Sequence, residues 1–105
     1  MACDGGVFLS VADGARGSFA SRNTGLAVVQ AQRLAHHARL PGHLLVGTQD
    51  NGAASLPVAG AWAVTLEGDA GGVAIDPDAP ARMFAQSVGA SWYQSADGRA
   101  FGTMS

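Results

Sequence analysis

The sequence predicts an all-β protein made of antiparallel four-stranded blades of an incomplete β-propeller, and three observations carry that prediction. Fifteen glycines in 105 residues are about twice the average frequency, which marks many turns between short elements. Short β-prone runs such as Val7-Phe8-Leu9-Ser10 and Leu44-Leu45-Val46 are bounded by Asp-, Asn- and Gly-containing turn sequences. The chain also repeats itself. A shift of 39 takes Leu34-Ala35 to Val73-Ala74, Pro41 to Pro80, Leu44-Leu45-Val46 to Met83-Phe84-Ala85, Thr48 to Ser87 and Trp62 to Phe101. A shift of 85 takes Val7-Phe8 to Trp92-Tyr93 and Ser10 to Ser95, and one of 46 takes Asp4-Gly5-Gly6 to Asp50-Asn51-Gly52. Since 46 and 39 sum to 85, the three registers close on each other.

A period near 40 with about four short β runs per unit fits a propeller blade, a four-stranded meander. The expected units are the second half of a blade over 1–24, a full blade over 25–68 and a full or nearly full blade over 69–105. Closing a propeller takes at least about four blades, because each sheet buries its faces against neighbours. The expected partners therefore include the remaining blades of a longer parent chain.

In order along the chain, Val7 to Ser10 and Ser18-Phe19-Ala20 form a hairpin signal, entered through Asp4-Gly5-Gly6 and turned at Asp13-Gly14-Ala15-Arg16-Gly17. Ser21 to Gly25 read as a polar loop. From Leu26 to Leu40 two signals compete. Thr24 is a candidate cap, Ala, Gln, Arg and Leu favour helix, and Leu26, Val29, Arg33, His37 and Leu40 fall at three- and four-residue spacing before Pro41-Gly42. The repeat instead makes the second half of this segment a strand. Both readings stand on the sequence alone. His43 to Gly52 then combine an apolar run with the reversal Gln49-Asp50-Asn51-Gly52.

Composition narrows the function. One small domain fits 105 residues, and the net charge of -2 with six Arg and no Lys supplies no basic field for phosphates. Nucleic acid is not an expected partner. Cys3 is the single cysteine, so neither an intrachain disulfide nor a thiolate metal site can form from this chain. The N-terminal residues lack the charged and apolar regions of an export signal, and no segment approaches the ~18 apolar residues of a membrane span. The opening Asp4-Gly5-Gly6 turn and the polar tail from Gly102 suggest a piece of something longer.

The ordered series Gly47-Thr48-Gln49-Asp50-Asn51-Gly52, Gly68-Asp69-Ala70-Gly71-Gly72, Ile75-Asp76-Pro77 and Ser95-Ala96-Asp97-Gly98, with Trp62 between, resembles the bacterial Asp-box propellers. These are the BNR, sialidase-like repeats of xyloglucanase and sortilin type. The resemblance spans nearly the whole chain. The box pattern Ser-x-Asp-x-Gly-x-x-aromatic is degenerate in both places. Ser95, Asp97 and Phe101 form a version one residue short, and Ser10, Asp13 and Phe19 a longer one with a late Asp. The family implies a structural role for the box, in which Asp and Ser side chains bond turn amides and the aromatic packs between sheets. Side-chain chemistry at turns points the same way. The resemblance also implies an exported parent and a non-catalytic binding or scaffold module for glycan or protein. Two alternatives accompany it: part of a glycoside hydrolase cleft, xyloglucanase-like or sialidase-like, and a truncated structural fragment without activity.

In an antiparallel meander, the turn between the second and third strands and the link to the next blade emerge at one end. Gln49, Asp50, Asn51, Glu67 and Asp69 therefore share the expected ligand face, with side chains suited to sugar hydroxyls. A glycosidase needs two carboxyl groups across a cleft, and Asp50 and Asp69 are the only pair the sequence nominates. The six arginines show no motif for gripping a substrate carboxylate. His36, His37 and His43 lack neighbouring ligands that would complete a metal site, since adjacent histidines on an extended chain point oppositely. No cofactor or metal is expected. Trp92-Tyr93 is the candidate pair for stacking on a sugar, although aromatic packing is the commoner role of such residues.

Overall fold

The computed structural model describes residues 1–3, 6–26 and 28–104. Asp4 and Gly5 of the expected turn leading into the first hairpin, Ala27 in the segment of competing signals, and Ser105 lie outside the described residues. The structure is all-β, with three antiparallel sheets that do not close into a ring. β1 (Ala2–Cys3), β2 (Gly6–Ser10) and β3 (Phe19–Ser21) form the first sheet. The second contains β4 (Ala31–His37), β5 (Leu40–Thr48), β6 (Gly52–Leu56) and β7 (Ala63–Leu66). The third contains β8 (Ala70–Ile75), β9 (Met83–Ser87), β10 (Trp92–Ser95) and β11 (Gly102–Thr103). In all three, each strand pairs with its neighbour in sequence. No helix among the described residues is long and apolar enough to cross a membrane.

The second and third sheets repeat one pattern of pairing 39 residues apart. Leu34↔Val46, Ala35↔Leu45 and His36↔Leu44 in the second become Val73↔Ala85, Ala74↔Phe84 and Ile75↔Met83 in the third. Val46↔Ala54 and Leu44↔Leu56 become Ala85↔Tyr93 and Met83↔Ser95. At the outer edge Ala54↔Val64 becomes Tyr93↔Thr103. Even the irregularity near the start of the innermost strand recurs, between Ala31 and Arg33 and between Ala70 and Val73.

This pairing also resolves the segment of competing signals. Residues 31–37 are a strand, because all of them except Gln32, at the irregularity, have a cross-strand partner on β5 whose packing outweighs the modest helix preference of Ala, Gln and Leu.

Cross-strand partners share a face, so the register fixes what each face presents. On one face of the second sheet, Ala35, Leu45 and Ala53 meet Val73, Ala85, Ile75 and Met83 of the third. Leu45, Ala53, Ala70, Met83 and Ala85 are fully buried in this seam, with Leu66 and Phe101 packed at its margin. β4 and β5 lie against β8. The approach is tight at Gly47, where a Cβ would come within 2.5 Å of the Gly71 carbonyl oxygen and 2.8 Å of that of Ala70. The first sheet stands outside this core, since none of its described residues is buried. The radius of gyration of 17.4 Å, against about 13 Å for a compact domain of this length, reflects sheets laid side by side.

The seam yields a stability prediction. Gly47→Ala forces two backbones apart and is expected to cost about 1–3 kcal/mol, and Leu45→Ala, which leaves a cavity, about 2–5 kcal/mol. Urea unfolding should report both losses. A Gly47→Ala protein as stable as wild type would mean that the two sheets are not in this close register.

Candidate binding surface

The meander brings three segments to one end of the second and third sheets: the β5–β6 turn, the β7–β8 link and the β9–β10 turn. The first two are joined directly, since the backbone N–H of Asp50 donates to Asp69 Oδ1 at 2.6 Å. Asp50 itself adopts φ 64° and Gly52 φ 76°, left-handed values that Asp and Gly tolerate best. A Cβ at Gly52 would also collide with the Leu66 carbonyl. Beneath the turn, the buried Thr48 hydroxyl donates to the Gly52 carbonyl at 2.7 Å, and the Gln49 N–H donates to the Gln30 carbonyl at 3.1 Å. Asn51 Nδ2 donates to the Gln49 carbonyl at 3.2 Å.

Of the five side chains expected on this face, Gln49, Asp50, Asn51 and Glu67 are exposed and Asp69 is half-buried. Two shallow clefts of about 290 Å³ each open here. One lies between Gln49-Asp50-Asn51 and Val28-Val29-Gln30, the other between Asp69 and the Ser87–Ala90 turn, beside Gln32 and Gln86. Both offer amide groups and backbone at the mouth, which suits hydrogen bonding to a neutral polyol or a peptide. Asp69 is partly committed, because one of its oxygens already accepts the Asp50 amide. No group of three His, Cys, Asp or Glu side chains among the described residues is placed to hold a metal ion.

The opposite end is tied down by side chains. The Asp97 carboxylate accepts from the backbone N–H of Arg99 at 2.9 Å and of Ala100 at 3.0 Å, and from the Ser95 hydroxyl at 2.9 Å. The two amides, then the hydroxyl, lower its pKa to about 2. Ser95 is buried, and Phe101 packs at the edge of the seam. Asp76 acts similarly, accepting from Asp78 and Ala79 N–H groups at 2.8 and 3.1 Å and from Arg82 at 3.2 Å, so its pKa is also lowered.

In the first sheet the arrangement differs. Ser10 Oγ accepts from the N–H of Ala12 and Gly14 at 3.2 and 3.0 Å and lies 2.7 Å from Ser18 Oγ. The Ser18 hydroxyl spends its hydrogen on the Ala15 carbonyl, so Ser10 is the donor between the two. Asp13 is exposed at φ 49°, and Phe19 is 41% exposed beside Gly14. Here serine holds the turn, because Asp13 arrives too late in the loop to face the turn amides.

Two seam features escaped the sequence reading. His37 Nε2 donates to the Pro77 carbonyl at 3.0 Å and His43 Nε2 to the Pro80 carbonyl at 2.8 Å, so two of the three histidines of the second sheet clamp the β8–β9 turn of the third. His37 is 3% exposed, and its Nδ1 has no partner among the described residues. Their targets are backbone carbonyls some 40 residues away, which leave no side-chain pattern to read. Asp76 did leave a signal, an Asp before Pro77 at a turn. Between the seam and this end runs a groove of about 590 Å³, walled by Leu40, Pro57, Ala63 and Met83 with Arg99 at its rim.

No protein-family model, curated protein or solved structure matches the chain.

The Asp97 turn predicts an acid response. A carboxylate with a depressed native pKa stabilises the fold fully above its unfolded value near 3.9 and loses that contribution as pH falls through its native value. The melting temperature of wild type is therefore expected to drop between about pH 4 and pH 2. Asp97→Asn should start lower at neutral pH and show a shallower drop. Parallel curves for the two proteins would remove Asp97 from that role.

Proposed function

We propose that the chain is a run of consecutive Asp-box propeller blades acting as a non-catalytic binding or scaffold module, with a glycan or protein ligand held at the Gln49, Asp50, Asn51, Glu67 and Asp69 end. The observation that supports this most is the repeat itself. Two four-stranded meanders share one register at a spacing of 39 and pack face to face, as blades do. The Asp97 turn adds support, because a carboxylate bonded to two turn amides and a serine, with an aromatic packed behind it, is the arrangement the box resemblance implies. Further blades then lie on the two sheet faces outside the seam.

Binding is favoured over hydrolysis by the use made of Asp69. Its bond to the Asp50 amide assigns it to holding two segments together, whereas a glycosidase acid must protonate a leaving group. A hydrolase cleft, xyloglucanase-like or sialidase-like, and an inactive fragment are the readings against which this one is tested.

The test is a binding screen with xyloglucan oligosaccharides, sialylated oligosaccharides and polysaccharide films. Gln49→Ala combined with Glu67→Ala should weaken capture about tenfold, equivalent to about 1.4 kcal/mol, without lowering the melting temperature. Asp69→Asn should instead lower the melting temperature. Reducing-sugar release by wild type that disappears in both Asp50→Asn and Asp69→Asn would replace the binding reading with the hydrolase one. Absence of any glycan or protein capture would leave only the inactive fragment.

A further inference from the structure

The faces that lie outside the seam carry the next step. On the second sheet this face presents the cross-strand row Leu34, Val46, Ala54 and Val64, with Leu44, Leu56 and the exposed His36 in the row beside it. Leu34 is 62% and Val64 66% exposed. On the third sheet it presents Ala74, Phe84 and Gln94 in one row and Gln86 and Trp92 in the next. Neither set contains an aspartate, glutamate, lysine or arginine, and across the strands of the described residues Arg33 is the only one. An antiparallel sheet with one face in water normally alternates apolar with charged or polar positions, and exposed edges and faces are normally protected by charge. These sheets have the composition of elements covered on both sides.

The seam shows how they are covered. By the shift of 39, the seam residues of the third sheet, buried Ala85 and Met83 and half-buried Val73, correspond to Val46, Leu44 and Leu34 on the open face of the second. The seam residues Leu45 and Ala53 of the second sheet correspond to Phe84 and Trp92 on the open face of the third. The second and third sheets together therefore carry one unpaired copy of each half of their own interface. Such a pair of unlike, complementary faces makes a heterologous contact, which propagates from molecule to molecule.

We propose that a second copy of this chain docks head to tail on the first, the Phe84–Trp92 face of one against the Leu34–Val64 face of the other. This rests on the repeat stacking used for the functional reading and names the source of the neighbouring sheet. The new contact is wider than the internal seam at its inner end. Gln86 stands where Gly47 admits the neighbouring backbone, and it packs with Trp92 around Gly72, where a Cβ would lie 3.0 Å from the Gln86 amide oxygen and 3.1 Å from the Trp92 ring. The bulk of Trp92 and Phe84, in place of Ala53 and Leu45, fills that extra width.

The experiment is sedimentation velocity of the full chain with one charge placed on each face. Wild type should grow in size with concentration through the micromolar range. Leu34→Glu and Trp92→Glu, both at partly exposed positions outside the seam, should each remain monomeric with the wild-type circular dichroism spectrum. Mixed in equal amounts they should form a one-to-one dimer and stop there, because each retains only the face the other lacks. Val64→Lys with Gln94→Lys provides a second pair should either glutamate variant fail to fold. The proposal is overturned by a monomeric wild type, by a single-face variant that still dimerises, or by mixtures that stay monomeric. A monomeric wild type with a cooperative transition would leave the propeller reading standing, with further repeats of one longer chain as the cover. Open filaments in place of small rings would uphold head-to-tail docking and end the propeller reading.

Discussion

The buried core of this protein depends on the close approach of β5 to β8, which the absence of a side chain at Gly47 permits. Once those two backbones are in near contact, Leu45 and Ala53 have no exit except onto Val73, Ala85 and Met83, and the fully buried apolar side chains among the described residues gather there. The remaining constraints serve this contact from its two ends. At one, the Asp50 amide is held by Asp69. At the other, His37 and His43 are held against the Pro77–Pro80 turn. A sheet-on-sheet seam of small and medium side chains is short of buried area for 105 residues, so these polar ties between neighbouring sheets help to fix a geometry that apolar burial alone leaves loose.

Much of that arrangement was legible in the sequence because repetition is a long-range signal. The shift that takes Leu34-Ala35 to Val73-Ala74 is the shift that relates their strand partners, and it outweighed a local helix pattern between Leu26 and Leu40 that propensity alone could not dismiss. The turn at Gln49 to Gly52 was legible for a local reason, since Asp, Asn and Gly are the residues that accept left-handed backbone. The histidine clamps were not legible. A side chain that bonds a backbone carbonyl places no demand on the identity of its partner, so Pro77 and Pro80 carry no mark of His37 and His43. In the first sheet the box pattern assigned the turn amides to Ser10 and Asp13 together, and loop length leaves them to the serine oxygen.

The two ends of the stacked sheets also divide their duties. At the Asp97 and Asp76 end, carboxylates are engaged by turn amides, hydroxyl or guanidinium, so these side chains are required by the turns they hold. At the Gln49 end the turn is held mostly through backbone groups, Thr48 and one Asp69 oxygen. The Gln49, Asp50 and Glu67 side chains reach solvent without being required by the fold. Ligand contacts placed there can change residue by residue at little cost to stability, which is how a rigid scaffold accommodates variable loops.

The same logic bears on the first sheet. It has a well-formed hairpin with Phe8, Leu9 and Ser10 in register against Ser21, Ala20 and Phe19, yet none of its described residues is buried. An isolated two- or three-stranded sheet without a covered apolar face is marginal in water. Its Val7 and Leu9, 41% and 46% exposed, stand 46 residues before Ala53 and Ser55, two seam positions of the second sheet. The first sheet thus repeats the imbalance of the other two in sharper form, presenting a seam face with too few strands beside it to make a seam. Its stability is therefore tied to whatever covers that face. Unfolding of this chain should accordingly be least cooperative at its N-terminal end, where local opening exposes no core that is not already open to solvent.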